Sequence, residues 1–466
     1  MSSSDASTSP LWPAPDPSAP ANERALLPRR TEPGELSREL LGKVLRPPRW
    51  LGPAILVTGC MSVLLLAAVA YTFTTGIGVW GNNIPVAWAF GITNFVWWIG
   101  IGHAGTFISA FLLLFEQKWR TSINRFAEGM TLFALVQAGL FPVLHMGRAW
   151  FFYWLIPYPS TMKVWPQFRS SLTWDVAAVS TYLTVSVLFW YLGLIPDLAA
   201  LRDYAPERWR RRIYGIFALG WYGSAAAWRR HRITYGLLAA LAAPLVVSVH
   251  SIVSMDFAIG VLPGWHSTLF PPYFVAGAIY SGFAMVLTLM IPARSLYRLE
   301  HVITAAHLEK MAKMLLVTGL IVSYAYVVEA YLAWVGGDAF ERHMLLVVRP
   351  RGPIAPLFWL VIACNCGSPL ALCFRRVRQS VWLLFALSLV VQLGMWSERL
   401  MLIVSSLSAD FLPSAWHGYR PTLVDAGLLF GTLSFFLFLF LVFLRFVPFI
   451  PVSELEAMNH ELGEPV

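Results

Sequence analysis

Residues 139–178, GLFPVLHMGRAWFFYWLIPYPSTMKVWPQFRSSLTWDVAA, begin and end like membrane-spanning helices. Between the apolar ends, the stretch carries a histidine, two arginines, a lysine and an aspartate. Ionisable groups are costly at membrane depth and usually mark functional sites in membrane proteins. The stretch therefore predicts two consecutive spans, with a polar site where the chain turns between them.

The composition of the whole chain favours a multi-pass membrane protein. Of its 466 residues, 57% are hydrophobic and only 13% are charged, and the mean hydropathy is +0.62. Soluble domains carry about 25% charged residues, so this chain has too few to cover a soluble core. Its apolar runs are each about 20 residues or longer, which is enough to cross a bilayer. We predict an all-α membrane fold with ten transmembrane helices at 51–75, 87–115, 125–149, 172–196, 233–262, 269–293, 308–335, 354–374, 380–408 and 423–447.

The basic residues predict the orientation of these spans. An even number of spans places both termini on one side of the membrane. Most of the 34 lysines and arginines fall in segments that are cytoplasmic if the N-terminus is cytoplasmic, above all in the loop 197–232. Basic loops are retained in the cytoplasm. The net charge of +9 is therefore interpreted as a topology signal, and we expect no nucleic-acid partner.

The spans divide the chain into five predicted segments. The first residues are rich in serine, proline and alanine and lack the apolar core of a signal peptide. We expect a flexible cytoplasmic tail there. The predicted segments are a tail at 1–50, the first span and an outer loop at 51–86, a first four-helix bundle at 87–268, a second at 269–408, and the last span with a cytoplasmic tail at 409–466.

The four cysteines predict no cysteine-bound redox centre. Cys60 lies in the first predicted span, and Cys364, Cys366 and Cys373 lie in the eighth. They form neither a C-x-x-C-H motif nor a C-x-x-C pair. Their spacing does not match that of iron–sulfur ligands. Buried cysteine usually behaves as a small apolar side chain.

Ionisable residues inside the predicted spans fall into two groups along the chain. Those of spans two to five are His103, Glu128, His145, Asp175, His250 and Asp256. Those of spans seven and nine are Glu329, Glu398 and Arg399. We expect one polar cluster inside the first four-helix bundle and a second inside a bundle built from spans six to nine.

The direction of the chain brings three polar residues toward one rim. The third span runs outward, so His145 lies near its outer end, and the fourth span starts outside with Asp175 near the same surface. Arg148 follows His145 by three residues, which places it on the same helical face. We predict that the three side chains meet at the outer rim of the first bundle. The aromatic loop beside them suits a membrane interface or a docked protein.

Two interpretations of this rim stay open. In the first, the polar contact only fixes two helix ends, with Arg148 and Lys163 near lipid headgroups. In the second, the rim binds a quinol, whose oxidation releases two electrons and two protons. Histidine suits the proton acceptor because its unperturbed pKa is about 6.5, and a neighbouring aspartate can share that role. We predict a quinol site with His145 and Asp175 as its catalytic pair and Arg148 as a further contact.

Long motifs of this chain resemble the NrfD (polysulfide reductase) family, in particular the larger NrfD-like integral membrane subunit of alternative complex III. They are NFVWWIGIGHAGTFISA, EQKWRTSINRFAEGMTLFA, FPVLHMGR, FRSSLTWDVAAVSTYLTVSVLFWYLGLIPDLAALRD, SVHSIVSMDFA and PGWHSTLFPPYFVAGAIYSGFAMVLTL. The resemblance covers residues 50–450, nearly all of the chain except its tails.

This resemblance implies a quinol-interacting subunit of the bacterial inner membrane that binds no haem or metal itself. The implied partners are an iron–sulfur subunit on the outer face, a second NrfD-like membrane subunit, c-type haem subunits and the lipid bilayer. The substrate would be menaquinol or ubiquinol, bound at the outer end of the first bundle. Proton-conducting roles would fall on His103, Glu128, His250, Asp256, Glu329, Glu398 and Arg399.

Two other functions stay open at the level of sequence. A haem b membrane protein could use His103 and His250 as axial ligands, although their positions in the spans predict depths that differ by about 6 Å. A secondary transporter could use paired bundles and buried carboxylates, with Pro142 and Pro244 breaking spans three and five. Neighbouring genes for iron–sulfur and multihaem proteins would favour the quinol interpretation.

Overall fold

A computed structural model describes residues 26, 34–155 and 171–463 of the chain. Within these residues, all regular secondary structure is helical, and ten helices are long and apolar enough to cross a membrane. The predicted all-α membrane fold is therefore confirmed. The long helices are α1 (Leu51–Thr75), α2 (Phe90–Leu114), α3 (Asn124–His145), α4 (Ser171–Tyr204), α5 (Ala225–Ala258), α6 (Phe270–Leu296), α7 (Ala305–Val335), α8 (Ala355–Leu372), α9 (Val381–Ser408) and α10 (Leu423–Phe446).

Shorter helices flank or connect the long ones. The α-helical segments are Glu35–Leu45, Arg208–Phe217, Ala339–His343, Arg349–Arg351, Arg375–Gln379 and Val452–Gly463. A π-helix covers Met344–Val348. Short 3₁₀ helices lie at Ile77–Val79, Lys118–Ser122, Ala149–Leu155 and Pro413–Ala415.

The long helices pack into two neighbouring groups. Helices α2, α3, α4 and α5 contact each other in a closed ring, and so do α6, α7, α8 and α9. These contacts fit the expected division into two four-helix bundles. Helix α2 joins the two groups by packing against α6 and α9, while α1 and α10 pack together beside α2 and α3. We call the end that the basic residues predict to be cytoplasmic the inner end, and the opposite end the outer end.

Glycines allow the central helix α2 to approach its neighbours closely. A Cβ atom at Gly105 would lie 2.1 Å from the carbonyl oxygen of Ala127 in α3. A Cβ atom at Gly282 in α6 would lie 1.7 Å from the Cβ of Ala104. Small residues at such contacts are the usual means by which membrane helices pack. They explain how α2 contacts both groups at once.

The prolines expected to break two spans do not interrupt them. Pro142 lies within the continuous helix α3, and Pro244 lies within the continuous helix α5. The broken helices that the transporter alternative would use are therefore not found at these two positions. A proline inside a membrane helix is tolerated where neighbouring groups satisfy the freed backbone atoms.

The prediction of a flexible tail over 1–50 is wrong for Glu35–Leu45, which form a helix. This helix buries Leu36, Leu40, Leu41 and Val44, spaced as one face of an α-helix requires. Ser37 donates from its backbone N–H and its hydroxyl to Glu456 Oε1, at 3.0 and 2.6 Å. The serine- and proline-rich stretch ahead of it concealed this short amphipathic pattern. Residues 1–25 and 27–33 of the predicted tail lie outside the described part of the chain.

Candidate functional site

The predicted outer rim is formed by the ends of three helices. Helix α3 ends at His145, α4 begins at Ser171 and α5 ends at Ala258. Arg148 lies in the turn after α3, where its exposed side chain lines a surface cavity of about 450 Å³ with Ile77 and Phe151. Residues 156–170 of the predicted aromatic loop, including Lys163, lie outside the described residues.

Asp175 interacts with Asp256, a carboxyl at the end of α5. The two carboxyl groups are close enough to interact with each other, and Ser171 lies beside Asp256. Among the described residues, no hydrogen bond or ion pair joins His145 to Asp175. That His145, Arg148 and Asp175 meet at the outer rim therefore stays a prediction, and the structure adds Asp256 of α5 beside Asp175.

The two aspartates form a group that can accept a proton. Two carboxyl groups can hydrogen-bond to each other only if one of them carries a proton, because ionised carboxylates only accept. Like charges at this distance also strongly disfavour double ionisation. The Oδ1 atoms of Asp175 and Asp256 are buried and have no hydrogen-bond partner within the described structure. The pair can therefore accept a hydrogen bond or a proton from a ligand.

Aromatic rings connect His145 to the aspartate side of the rim. The imidazole ring lies 6.2 Å from the ring of Trp80 and 6.3 Å from that of Trp88. Trp88 also contacts Phe257, the chain neighbour of Asp256, with ring centres 6.2 Å apart. The Nδ1 atom of His145 is buried and unpartnered within the described residues. A planar ligand between the histidine and the aspartates would thus meet aromatic walls.

His103 and His250 meet in the middle of the first helix group. Their Nδ1 atoms lie 2.8 Å apart, although the sequence predicted different depths for the two residues. That depth prediction is wrong, because α2 and α5 are shifted along their axes relative to the assumed span boundaries. Two imidazole nitrogens that bind one metal ion from opposite sides lie about 4 Å apart, since each bond is about 2 Å long. The observed contact leaves no room for a haem iron between the rings.

Glu128 lies far from the rim, near the inner end of α3. It precedes His145 by roughly 25 Å of helix rise. Its carboxylate accepts from the Ser109 hydroxyl at 2.5 Å and from the Tyr235 hydroxyl at 3.0 Å. Arg125 forms a buried ion pair with it at 2.9 Å. Glu128 therefore belongs to a separate polar site at the opposite end of the first helix group.

Sequence reasoning missed several members of this inner site. Arg125 also bonds to Asp197 at 3.2 Å, and Asp197 accepts from the backbone N–H of Ser453 at 3.0 Å. Arg120 pairs with Glu454 at 2.5 Å. These residues lie at the ends of the predicted spans, so their charges were attributed to loops. The i, i+3 spacing of Arg125 and Glu128 was a signal that could have revealed the pair.

Glu398 and Arg399 lie in a buried cluster of the second helix group. Their side chains pair at 3.0 Å, and Glu398 also accepts from Tyr326 at 2.6 Å and from the hydroxyl of Tyr273. The guanidinium of Arg399 lies 3.9 Å from the ring centre of Phe274. The same phenylalanine ring lies 6.0 Å from that of His250, so the clusters of the two groups adjoin.

Glu329 is held by an arginine that sequence reasoning missed. Arg349 pairs with Glu329 at 3.0 Å and donates to the carbonyl oxygen of Gly264 at 3.0 Å. The backbone N–H of Gly264 donates to Glu341 at 2.6 Å. Burial raises the pKa of Glu341 above its ordinary value. This network lies at the outer end of the second group, because it joins the end of α7 to the loop between α5 and α6.

These observations define a multi-pass integral membrane protein with buried polar side chains along both helix groups. The family model described as "Polysulphide reductase, NrfD" matches residues 78–409. The chain therefore belongs to the NrfD family, as its motifs predicted.

A named relative is similar over part of the chain. This relative, a putative membrane subunit of dimethyl sulfoxide reductase from Halobacterium salinarum (strain ATCC 700922 / JCM 11081 / NRC-1), is 29% identical over 246 residues. The matched region covers 52% of this chain and 51% of the relative, so the chain spans about half the length of the curated relative it matches. The family and the relative both carry the names of reductase systems.

Proposed function

We propose that this chain is the quinol-binding membrane subunit of a quinol-oxidising respiratory complex of the alternative complex III type. The observation that carries the proposal is the Asp175–Asp256 pair, whose buried oxygens lack partners beside the aromatic rim. The family and the named relative support a redox complex. The complex would lie in the bacterial inner membrane, with both termini of this chain in the cytoplasm.

Quinol oxidation requires acceptors for two protons at the site. One quinol hydroxyl donates to the aspartate pair, and the other donates to the unpartnered Nδ1 of His145. Two electrons leave for an acceptor in a partner, and the two protons pass to these groups, so the quinol becomes quinone. Such proton acceptors typically contribute about 10²–10⁴ in rate. Asp256 thereby moves from the expected proton pathway to the catalytic site.

The surroundings of these groups suit a quinol ring. Trp80 and Trp88 provide apolar surfaces beside His145, and Arg148 is exposed near the same helix end, where it adjusts the local charge. The isoprenoid tail enters from lipid between the helix ends. The substrate is menaquinol or ubiquinol, and this chain supplies no haem or metal of its own.

Exposed aromatic residues at the outer end support a docked electron acceptor. Trp150 and Trp174 are 57% and 49% exposed near the rim. Aromatic side chains are enriched where proteins bind one another. An iron–sulfur subunit on this face would receive the electrons and pass them to c-type haem subunits. A second NrfD-like membrane subunit would complete the membrane part of the complex.

The buried polar residues below the rim support a coupled proton pathway. The His103–His250 contact lies between the rim and the inner site of Glu128. Glu398 and Arg399 adjoin this line through Phe274, and Glu329 lies beyond them in the second group. Ionisable residues at membrane depth often form such relays. Quinol oxidation at the rim would then drive proton movement through the chain.

The test is quinol-dependent reduction of the redox centres in the assembled complex. Asp175→Asn and Asp256→Asn each keep the shape of the side chain but weaken proton acceptance, and His145→Ala removes the imidazole. Each variant should lower the reduction rate by about 10²–10⁴. Asp410→Asn and His343→Ala change the same residue types at the outer end of the second helix group, where both line one surface cavity, and should react like the unmodified protein.

The proposal fails if Asp175→Asn and His145→Ala both assemble and reduce the centres at the unmodified rate. Assembly is measured on the same samples, from the stoichiometry of the purified subunits. Glu398→Gln, in the second helix group, should slow this reaction much less than the rim variants do. Any effect of Glu398→Gln would come from altered proton movement, because Glu398 lies outside the proposed quinol site.

A further inference from the structure

The segment between α4 and α5 forms an arginine-rich surface at the inner end. Its centre is the helix Arg208–Phe217, and a turn through Trp221 leads on to α5. Between residues 197 and 232 the chain carries no lysine. Its basic residues are Arg202, Arg208, Arg210, Arg211, Arg212, Arg229, Arg230 and Arg232, with His231 among them. The planar guanidinium group of arginine can donate two parallel hydrogen bonds to one phosphate, which the ammonium group of lysine cannot do. A segment whose basic residues are arginines therefore favours phosphate binding.

The helix Arg208–Phe217 has three distinct faces. Tyr214 is buried and packs on the protein. About a third of a turn away, Trp209, Ile216 and Phe217 are 55%, 70% and 53% exposed. The third face carries the exposed residues Arg208, Arg211 and Arg212. An apolar face beside a basic face is the pattern of helices that lie in a membrane interface.

Hydrogen bonds to neighbouring elements fix the orientation of this helix. The Tyr214 hydroxyl donates to the carbonyl oxygen of Phe446, at the end of α10, at 3.1 Å. Arg210 donates to the carbonyl oxygen of Leu45 at 3.0 Å. Tyr191 of α4 donates to the carbonyl oxygen of Phe217 at 2.7 Å. The apolar face is therefore held away from the protein rather than turned toward it.

The turn after the helix adds crevices lined by aromatic and basic side chains. Trp221 and Tyr222 line two adjoining cavities of about 420 and 510 Å³. Arg230 lines the first cavity and Arg202 the second. Arg202 also donates to the carbonyl oxygen of Trp221 at 3.1 Å, which holds the turn against α4. Tyr222 is 86% exposed, as expected of a ring that lies at a membrane interface.

We propose that this surface binds anionic phospholipids of the adjacent membrane leaflet. Large apolar side chains such as Leu188 of α4 and Leu237 of α5 are also exposed, as on lipid-facing helices, so we expect acyl chains to cover the apolar face of Arg208–Phe217 as well. The arginines lie at the level of the headgroups, where they bind the phosphates of negatively charged lipids. The occupant is a lipid rather than a soluble polyanion, because a soluble ligand would leave Ile216 and Phe217 in water.

The proposal is tested by retention of lipid on the purified complex. The complex is placed in nanodiscs of equimolar phosphatidylcholine and phosphatidylglycerol, then released into detergent and measured by native mass spectrometry. The triple variant Arg208→Gln, Arg211→Gln, Arg212→Gln should retain less phosphatidylglycerol, by roughly a factor of five for each arginine removed. These side chains are exposed, so the variant should fold and assemble.

A matched control removes the same charge from the opposite end. The triple variant Arg342→Gln, Arg351→Gln, Arg420→Gln changes exposed arginines at the outer end and should retain phosphatidylglycerol as the unmodified complex does. A second variant, Trp209→Ala with Ile216→Ala, keeps every arginine and should also lose phosphatidylglycerol, because the apolar face anchors the chains.

Equal retention of phosphatidylglycerol by the unmodified complex and the inner triple variant would overturn the proposal. So would equal loss in the inner and outer triple variants, since that result would reflect net charge alone. Retention of phosphatidylcholine and phosphatidylglycerol in equal amounts by the unmodified complex would also contradict it. Quinol-dependent reduction is measured in the same samples and is independent of these outcomes.

Discussion

Asp256 lies in the last turn of α5, which brings it beside Asp175 near the start of α4. Neither aspartate is paired with an arginine or lysine within the described residues, unlike Glu128, Glu329 and Glu398. Those paired carboxylates are satisfied within the protein. The aspartate pair retains unpartnered buried oxygens, and this difference supports the proposed quinol site.

A single glycine provides a test of helix packing at the residue scale. A Cβ at Gly105 would lie 2.1 Å from Ala127 O and 2.3 Å from Thr131 Oγ1, so Gly105→Ala must push α2 and α3 apart. We expect a loss of stability of about 1–3 kcal/mol, as for overpacked cores. Gly139→Ala is the control, because no atom lies within 4 Å of its added Cβ. Thermal unfolding of the purified complex measures both, and equal midpoints would contradict the packing.

The sequence allowed the candidate functional residues to be recognised one by one, but it did not allow their contacts with each other to be predicted. His145, Asp175, Asp256, His103 and His250 all stood out because ionisable groups are rare in membrane helices. Their pairing could not be predicted, because a shift of one helix along another changes every contact. The assumed boundaries thus separated the two histidines, whose Nδ1 atoms lie 2.8 Å apart.

Two terminal helices close the inner end of the first helix group. Residues of Val452–Gly463 reach Asp197 through Ser453 and Arg120 through Glu454, while Glu456 accepts from Ser37 of the helix Glu35–Leu45. Glu454 thus supplies a partner for the buried guanidinium of Arg120, and Ser453 supplies one for the buried carboxylate of Asp197. The terminal segments are therefore part of the folded core, although the sequence suggested tails.

The ion pair of Arg120 and Glu454 provides a test at the scale of these elements. Glu454→Gln leaves the buried Arg120 with a neutral partner. Removing one member of a buried pair costs about 3–5 kcal/mol, and the partial exposure of Glu454 reduces that cost. We expect a clearly lower unfolding midpoint for the purified complex, whereas Glu300→Gln, an exposed change at the same end, should have no effect. An unchanged midpoint for Glu454→Gln would show that the helix Val452–Gly463 does not stabilise the bundle.

Long apolar helices were predictable, whereas short amphipathic ones were not. Helix α2 was predicted at 87–115 and covers Phe90–Leu114. Helix α5 was predicted at 233–262 but begins at Ala225, because its first turns carry arginines that were assigned to a loop. Hydropathy locates the part of a helix that lies in lipid, and it gives no signal for the part beyond it.

At the scale of the whole molecule, α2 and α6 are the most enclosed of the ten long helices. Phe274 of α6 lies beside His250 of α5 and Arg399 of α9, so the polar clusters of the two helix groups adjoin. A change of charge in one helix group therefore alters the electrostatic energy of ionisable residues in the other, because the interior between them has a low dielectric constant. This arrangement gives a physical basis for coupling the rim to the second group, as the proposed function requires.

Topology decides whether the aspartate rim faces outward, and the basic residues predict that it does. Most lysines and arginines lie at the inner end, with a dense group in the loop 197–232. Reporter fusions in 197–232 should therefore be active only as cytoplasmic reporters, and fusions in 149–171 only as external ones. Fusions at the C-terminus should match those in 197–232, because ten spans return the chain to its starting side. The reverse pattern would place the Asp175–Asp256 pair on the cytoplasmic face, where an outer electron acceptor could not reach its quinol.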